Sequence, residues 1–341
     1  MASPDPMKRI EEVRETSAIT YGLMATKALF AALDFDLFTR IETGSSSAAT
    51  LAGATGIPEN RLVVLLAALK SAGLIAESDG RLSNAPATSK FLVAGAPWDH
   101  VRPVNGAFGF ESFRHLSAAL CTERVFADEG FDGGLIYSVG IGGEQFSSAQ
   151  HSGSLVSARL MATHVDLGGR KQLLDIGGGS GGYTLTFCRA NPQLRATILD
   201  LPQAIETAKA YALQSGLADR IAHLVGNAIT TEWPKGHDVI LMPYLWSAIG
   251  ADEIMKLARR AFEVLPPGGL ILLHDFMVDN GREQEAFATW YLLGSVLDNP
   301  HAVCLTPDYV ELALSSAGFK VEGTEGVLGG VTMLTRALKP E

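Results

Sequence analysis

The stretch "LLDIGGGSGGYTLTF", Leu173 to Phe187, decides the fold. Leu173, Leu174 and Ile176 surround Asp175 in a short apolar run that reads as a buried strand. Five glycines and Ser180 follow, and a helix-like stretch begins near 182. Glycine permits positive φ and lets a ligand touch the main chain. The helix beyond it offers free N–H groups and a partial positive end. Ligands of open α/β sheets bind just there, past the carboxyl ends of the strands.

Outward from this turn, strand-like and helical runs alternate. "QLLDIG", "RATILD", "IAHLVG", "DVILMP", "LILLHDF", "FKVEGTE" and "VTMLTRAL" read as seven strands, with helices over 182–190, 203–215, 251–265 and 306–317. This alternation specifies a mostly parallel sheet covered by helices on both faces. The last two runs are joined by a few glycine-rich residues, so they predict a C-terminal antiparallel hairpin. Upstream, 18–41 carries apolar residues at helical spacing and too little charge for a surface helix, so burial against a partner chain is expected. "SSSAATLAGATGI" offers serine caps before a helix, and "PENRLVVLLAALKSAGLI" opens on proline and closes near Gly73. "LIAESDGRLSNAP" alternates around a hairpin signal. Helix, helix, hairpin is a winged-helix pattern, yet its second helix carries only Arg61 and Lys70 as cations, which speaks against DNA reading.

Composition agrees. A chain of 341 residues, 47% apolar, exceeds one ordinary core. The expected domains are 1–105, a helical linker 106–165, and 166–341. A net charge of -10 argues against nucleic acid as a partner. No apolar run is long enough for a membrane span, and "MASPDPMKRIEEVRET" has no signal-like core. Three scattered cysteines form no metal or disulfide pattern, so a cytoplasmic location and no metal are expected.

Two acids flank the turn. Asp200 ends the second strand, placed to accept hydrogen bonds from a ribose diol. Gly177, Gly179 and Gly182 satisfy G-x-G-x-x-G, which suits a nicotinamide dinucleotide equally well. Asp175 separates the two readings, because a carboxylate repels a pyrophosphate. S-adenosylmethionine (SAM) has no phosphate and carries a sulfonium and an ammonium.

"LLDIGGGSGG", "ILDLP", "VGNAITTEWP", "DVILM" and "LPPGGLILLHDF" together resemble the class I SAM-dependent methyltransferases. More narrowly, they are similar to the plant and bacterial small-molecule O-methyltransferases, across essentially the whole chain. The resemblance implies a Rossmann-like catalytic domain behind a winged-helix-like dimerisation domain, a homodimer formed through the N-terminal helices, and S-adenosylhomocysteine (SAH) as product. It further implies that Asp175, Gly177, Gly178 and Gly179 line the methionine part of SAM, that Asp200 holds the ribose with Leu201 against the adenine, and that Asn227 and Ala228 meet the adenine amine. Asn227 stands where the family commonly has Asp.

The family's general-base histidine, in an "HDW" motif, is missing. In "DVILMPYLWSAIGADE" its position falls on Trp246, Ser247 or Ala248, none of them a base near neutral pH. Three explanations stand: an acidic acceptor such as an enol or conjugated phenol, a different base or a carbon or nitrogen acceptor, or lost transfer activity. Replacement candidates are Asp275, Tyr244, His301 and His115. Phe108, Phe110, Phe113, Trp246 and Trp290 favour a flat aromatic or conjugated substrate. A nicotinamide-dependent oxidoreductase and a winged-helix regulator are the readings from other classes.

Overall fold

The computed structural model describes residues 13–96, 112–121, 143–280, 286–329 and 331–341. The chain forms two compact units, Met1–Ala107 and Phe108–Glu341. The glycine-rich stretch 129–143 within the expected linker lies, except for Gly143, outside the described residues, as do Phe108, Phe110 and the side chain of Trp290.

In the first unit the apolar stretch at 18–41 is not one helix but three: Val13–Thr20, Gly22–Asp34 and Leu37–Glu42. The second break falls at Asp36, whose left-handed φ of 56° no helix can continue. The serine cap is present, since Ser47 and Thr50 form a reciprocal capping box at the helix Ala48–Thr55. The helix Glu59–Ser71 then leads into strands β1 (Ile75–Ser78) and β2 (Arg81–Asn84). Asp79 and Gly80 both have positive φ, as a two-residue hairpin turn with primed geometry requires. Leu37, Phe38, Leu51, Leu62, Leu66, Leu69 and Ile75 make the core. Ile19, Leu23 and Met24 are more than half exposed, as is Val64 on the helix Glu59–Ser71.

The second unit is built on a seven-stranded sheet. Its strands are β3 (Gln172–Ile176), β4 (Arg195–Asp200), β5 (Ile221–Val225), β6 (Val239–Pro243), β7 (Leu270–Asp275), β8 (Lys320–Leu328) and β9 (Thr332–Leu338). They lie in the order β5-β4-β3-β6-β7-β9-β8. β3 to β7 are parallel, and β9 runs antiparallel to both β7 and β8. β6 and β7 are buried along their whole length, which is why they read as unbroken apolar runs. Tyr183, Phe187, Ile198, Leu241 and Leu272 pack one face, and Leu174, Ile176, Ile240, Met242 and Ile271 the other. β3 has β4 on one side and β6 on the other. Strand order reverses there, opening a crevice above the tip of β3. Among the described residues no helix is long and apolar enough to cross a membrane.

Candidate active site at the carboxyl ends of the strands

Asp175 lies near the end of β3, paired in register with Ile198 of β4 and Leu241 of β6. The chain then turns through Gly177 (φ 68°), Gly179 (φ 56°) and Gly181 (φ 82°), backbone that L side chains rarely adopt. Gly178 is constrained by space instead: a Cβ there would lie 2.7 Å from the Asp175 carboxyl carbon. The turn is pinned by Gly177 N–H donating to Leu199 O at 2.8 Å and Gly179 N–H donating to Asp200 Oδ2 at 2.7 Å. Leu201 N–H donates to the other Asp200 oxygen at 2.6 Å.

Asp175 is fully buried. Its Oδ2 accepts from the Thr184 hydroxyl at 2.6 Å, and its Oδ1 has no partner. Burial lifts its pKa to about 7; Thr184 opposes the rise and the nearby Asp200 adds to it. Asp200 is pushed up too, burial outweighing the two N–H donors. The result is two crowded acids beside a bare peptide turn, one with an unused buried oxygen.

The turn beyond β4 is braced from outside. Gly226 N–H donates to Asp200 O at 2.9 Å, so the 226–233 turn starts from the tip of β4. Ala228 O accepts from Trp233 Nε1 at 2.9 Å and from Arg260 Nη1 at 3.0 Å. Arg260 also reaches Thr231 O and lies over the Trp233 ring, 5.5 Å from its centre. The Asn227 side-chain oxygen accepts from Ile229 N–H at 2.8 Å, so within the free chain it already holds its own turn.

The tips of β6 and β7 make the other half. The Trp246–Ala248 segment, where the usual base is missing, is a single 3₁₀ turn with Trp246 and Ser247 buried. Ser247 N–H donates to Asp275 Oδ2 at 3.0 Å, and Phe276 N–H donates to Oδ1 at 2.8 Å. Burial lifts Asp275 to about 6 against these donors. The carboxylate therefore fastens the 246–248 turn, and it is fully buried. His274 faces the opposite layer, as alternation along a strand demands. It takes part in hydrogen bonds with Tyr183 Oη at 2.6 Å and Thr332 Oγ1 at 2.9 Å, and burial holds it neutral, down to about 3. Among the described residues no group of acids, histidines and cysteines is arranged to hold a metal.

Tyr244 follows β6 with φ 55° and donates its hydroxyl to Ser157 at 2.7 Å. Burial pushes its pKa up, which suits a wall rather than a base. Its ring packs on Phe276 at 4.9 Å, and Phe276 stacks on Tyr291 at 3.5 Å. His115 ends the short turn Ser112–His115 and is half-buried. In that turn, the exposed Phe113 approaches Gly294. His301 is exposed, in the loop after the helix Ala286–Asp298.

His151 escapes sequence reasoning. It hydrogen-bonds Ser180 Oγ of the glycine turn at 2.9 Å and stacks on Tyr211, ring centres 3.6 Å apart. Burial, with Arg189 nearby, holds it down to about 4. Twenty-nine positions separate it from Ser180, and no local pattern marks the pair.

The O-methyltransferase domain family matches residues 115–320, and the O-methyltransferase dimerisation domain matches 18–94. A 3-hydroxy-5-methyl-1-naphthoate 3-O-methyltransferase of Streptomyces sahachiroi is 27% identical over 76% of each chain. The bacteriochlorophyllide d C-20 methyltransferase of Chlorobaculum tepidum is 27% identical over 83% of this chain and 84% of its own. Human N-acetylserotonin methyltransferase, solved in complex with SAM, superposes with a TM-score of 0.83 over 98% of this chain and all of its own, at 22% identity.

Proposed function

Because the chain belongs to the O-methyltransferase family, we propose that it transfers a methyl group from SAM to an oxygen of a small planar aromatic or conjugated secondary metabolite. One observation carries the choice of cofactor: the fully buried Asp175 presents an unpartnered oxygen beside Asp200 at a turn stripped of side chains. A cationic amino-acid group satisfies that oxygen, whereas a dinucleotide pyrophosphate would meet two acids. The residues present therefore fit SAM. Asp175 and Gly177 to Gly179 would hold its methionine part, Asp200 its ribose, and Leu201, Asn227 and Ala228 its adenine.

When bound, SAM supplies an electrophilic methyl on a positively charged sulfur. The chain's own part is to orient the acceptor and exclude water, and alignment of this kind is worth roughly 7–11 kcal/mol. Tyr244 and Phe276 offer an aromatic surface at the tips of β6 and β7 for a flat acceptor. The relatives' naphthoate and bacteriochlorophyllide substrates, as their names give them, are flat and conjugated. A carbon acceptor is the second reading, favoured by the lack of a base at 246–248 and by the C-20 methyltransferase relative. Exposed Ile19, Leu23 and Met24, within the stretch matched by the dimerisation domain, support a homodimer through the N-terminal helices.

Thermal melting with SAH tests the assignment. SAH raises the melting temperature of the parent, and Asp200→Ala removes the rise. A rise that survives in the variant refutes the ribose placement.

A further inference from the structure

We propose that His301 removes the proton from the acceptor hydroxyl, supplying from a neighbouring loop the base that the 246–248 turn lacks. The inference rests on the oxygen-transfer reading above.

The loop is docked beside the vacated position. Gly250 and Ala302 pair as an antiparallel bridge. Asn299 Nδ2 donates to Ala248 O at 3.4 Å, and His301 N–H donates to Asn299 Oδ1 at 2.8 Å. A Cβ at Gly250 would lie 2.9 Å from His301 Cβ, so the approach exists only because residue 250 has no side chain. The 246–248 turn is itself held over β7 by Asp275. His301 thus belongs to the carboxyl edge of β6 and β7, the rim of the crevice. Glu253 is the charged group that shares this corner, one carboxylate oxygen lying 2.8 Å from the same Gly250 Cβ position.

Four other histidines among the described residues are committed elsewhere. His274 is buried with both ring nitrogens engaged. His151 is stacked and bonded to Ser180. His237 lies between Pro234 O and Thr197 Oγ1. His164 pairs with Glu325. His301 is exposed, so a proton it gains can leave to water. In the step, the acceptor O–H bond breaks, its electron pair stays on oxygen, and an N–H bond forms on the imidazole. The imidazolium then returns its proton to solvent.

The test reads the proton directly. Calorimetry first measures SAH binding to parent, His301→Gln, Gly250→Ala and His115→Gln. Each SAH complex is then titrated with 4-nitro-1-naphthol, whose phenolate absorbs at longer wavelength than its phenol. At fixed pH the bound probe's phenolate-to-phenol ratio is at least tenfold higher in the parent than in His301→Gln. Gly250→Ala, which keeps the imidazole but displaces it, shows the same loss. Equal ratios in parent and His301→Gln overturn the assignment, as does a loss seen only in His115→Gln. A parent that binds SAH but not the naphthol overturns it too. Failure of the parent to bind SAH instead overturns the methyltransferase reading.

Discussion

Asp175→Asn is the sharpest test of the glycine turn. In the folded chain the Asp175 pKa is lifted from its ordinary 3.8 to about 7. The folded state thus holds this proton more tightly than the unfolded chain. Its contribution to stability is complete below pH 3.8 and is lost as pH rises toward 7. At about 1.4 kcal/mol per pH unit, the full loss is about 4 kcal/mol, of which about 3 kcal/mol falls between pH 5 and pH 8. Asparagine keeps the shape and cannot ionise. The stability of the variant relative to the parent therefore improves by about 3 kcal/mol from pH 5 to pH 8, roughly 6–12 °C in melting temperature for a unit of this size. Taking the difference between two proteins cancels the titration of His151 and His274, which both retain. The assay is a paired series of melts without ligand, repeated with SAH. The parent at pH 8 is stabilised by SAH and the variant is not, because the buried negative charge that answers the ammonium is gone. A variant–parent difference that does not change with pH would refute the reasoning, and so would SAH stabilisation of equal size in both.

Further outcomes follow from the same geometry. Gly178→Ala places a Cβ 2.7 Å from the Asp175 carboxyl carbon, so SAH affinity by calorimetry falls at least tenfold while far-ultraviolet circular dichroism is unchanged. Arg260→Met strips one donor from Ala228 O and the one to Thr231 O, costing about 1–3 kcal/mol in denaturant unfolding and weakening SAH binding. His274→Leu leaves Tyr183 and Thr332 without their partner and costs about 2 kcal/mol at pH 8. Because the folded His274 is held down to about 3, its share of the parent's stability is lost as pH falls below 6.5, a loss the leucine variant does not carry. The variant's deficit therefore shrinks by about 2 kcal/mol at pH 5; a deficit that grows on acidification contradicts a neutral buried imidazole.

The sheet was legible because parallel strands buried on both faces must be written as continuous apolar runs, and the two acids interrupt those runs near the strand tips. β9 was legible as antiparallel because too few residues precede it for a crossover. Other features depend on contacts that no local pattern encodes. Asp36 adopts a left-handed backbone that splits an otherwise uniform apolar helix. Asp275 reads as a replacement candidate for the missing base; that its two oxygens also accept from the N–H groups of Ser247 and Phe276 depends on where the 246–248 turn folds back. His151 meets the glycine turn, and Tyr244 meets Ser157, only because the helix Gly143–His164 lies beside Gly182–Ala190. The place of His301 depends on the missing side chain at Gly250, a glycine that reads in sequence as an ordinary helix boundary.

The indole of Trp233 is buried, donates to Ala228 O in the 226–233 turn, and lies under a guanidinium. Its emission energy follows the local field, so the chain carries an optical reporter at the β4 end of the crevice. Filling or emptying that end can be followed by intrinsic fluorescence in stopped flow, without labels and without knowing the acceptor.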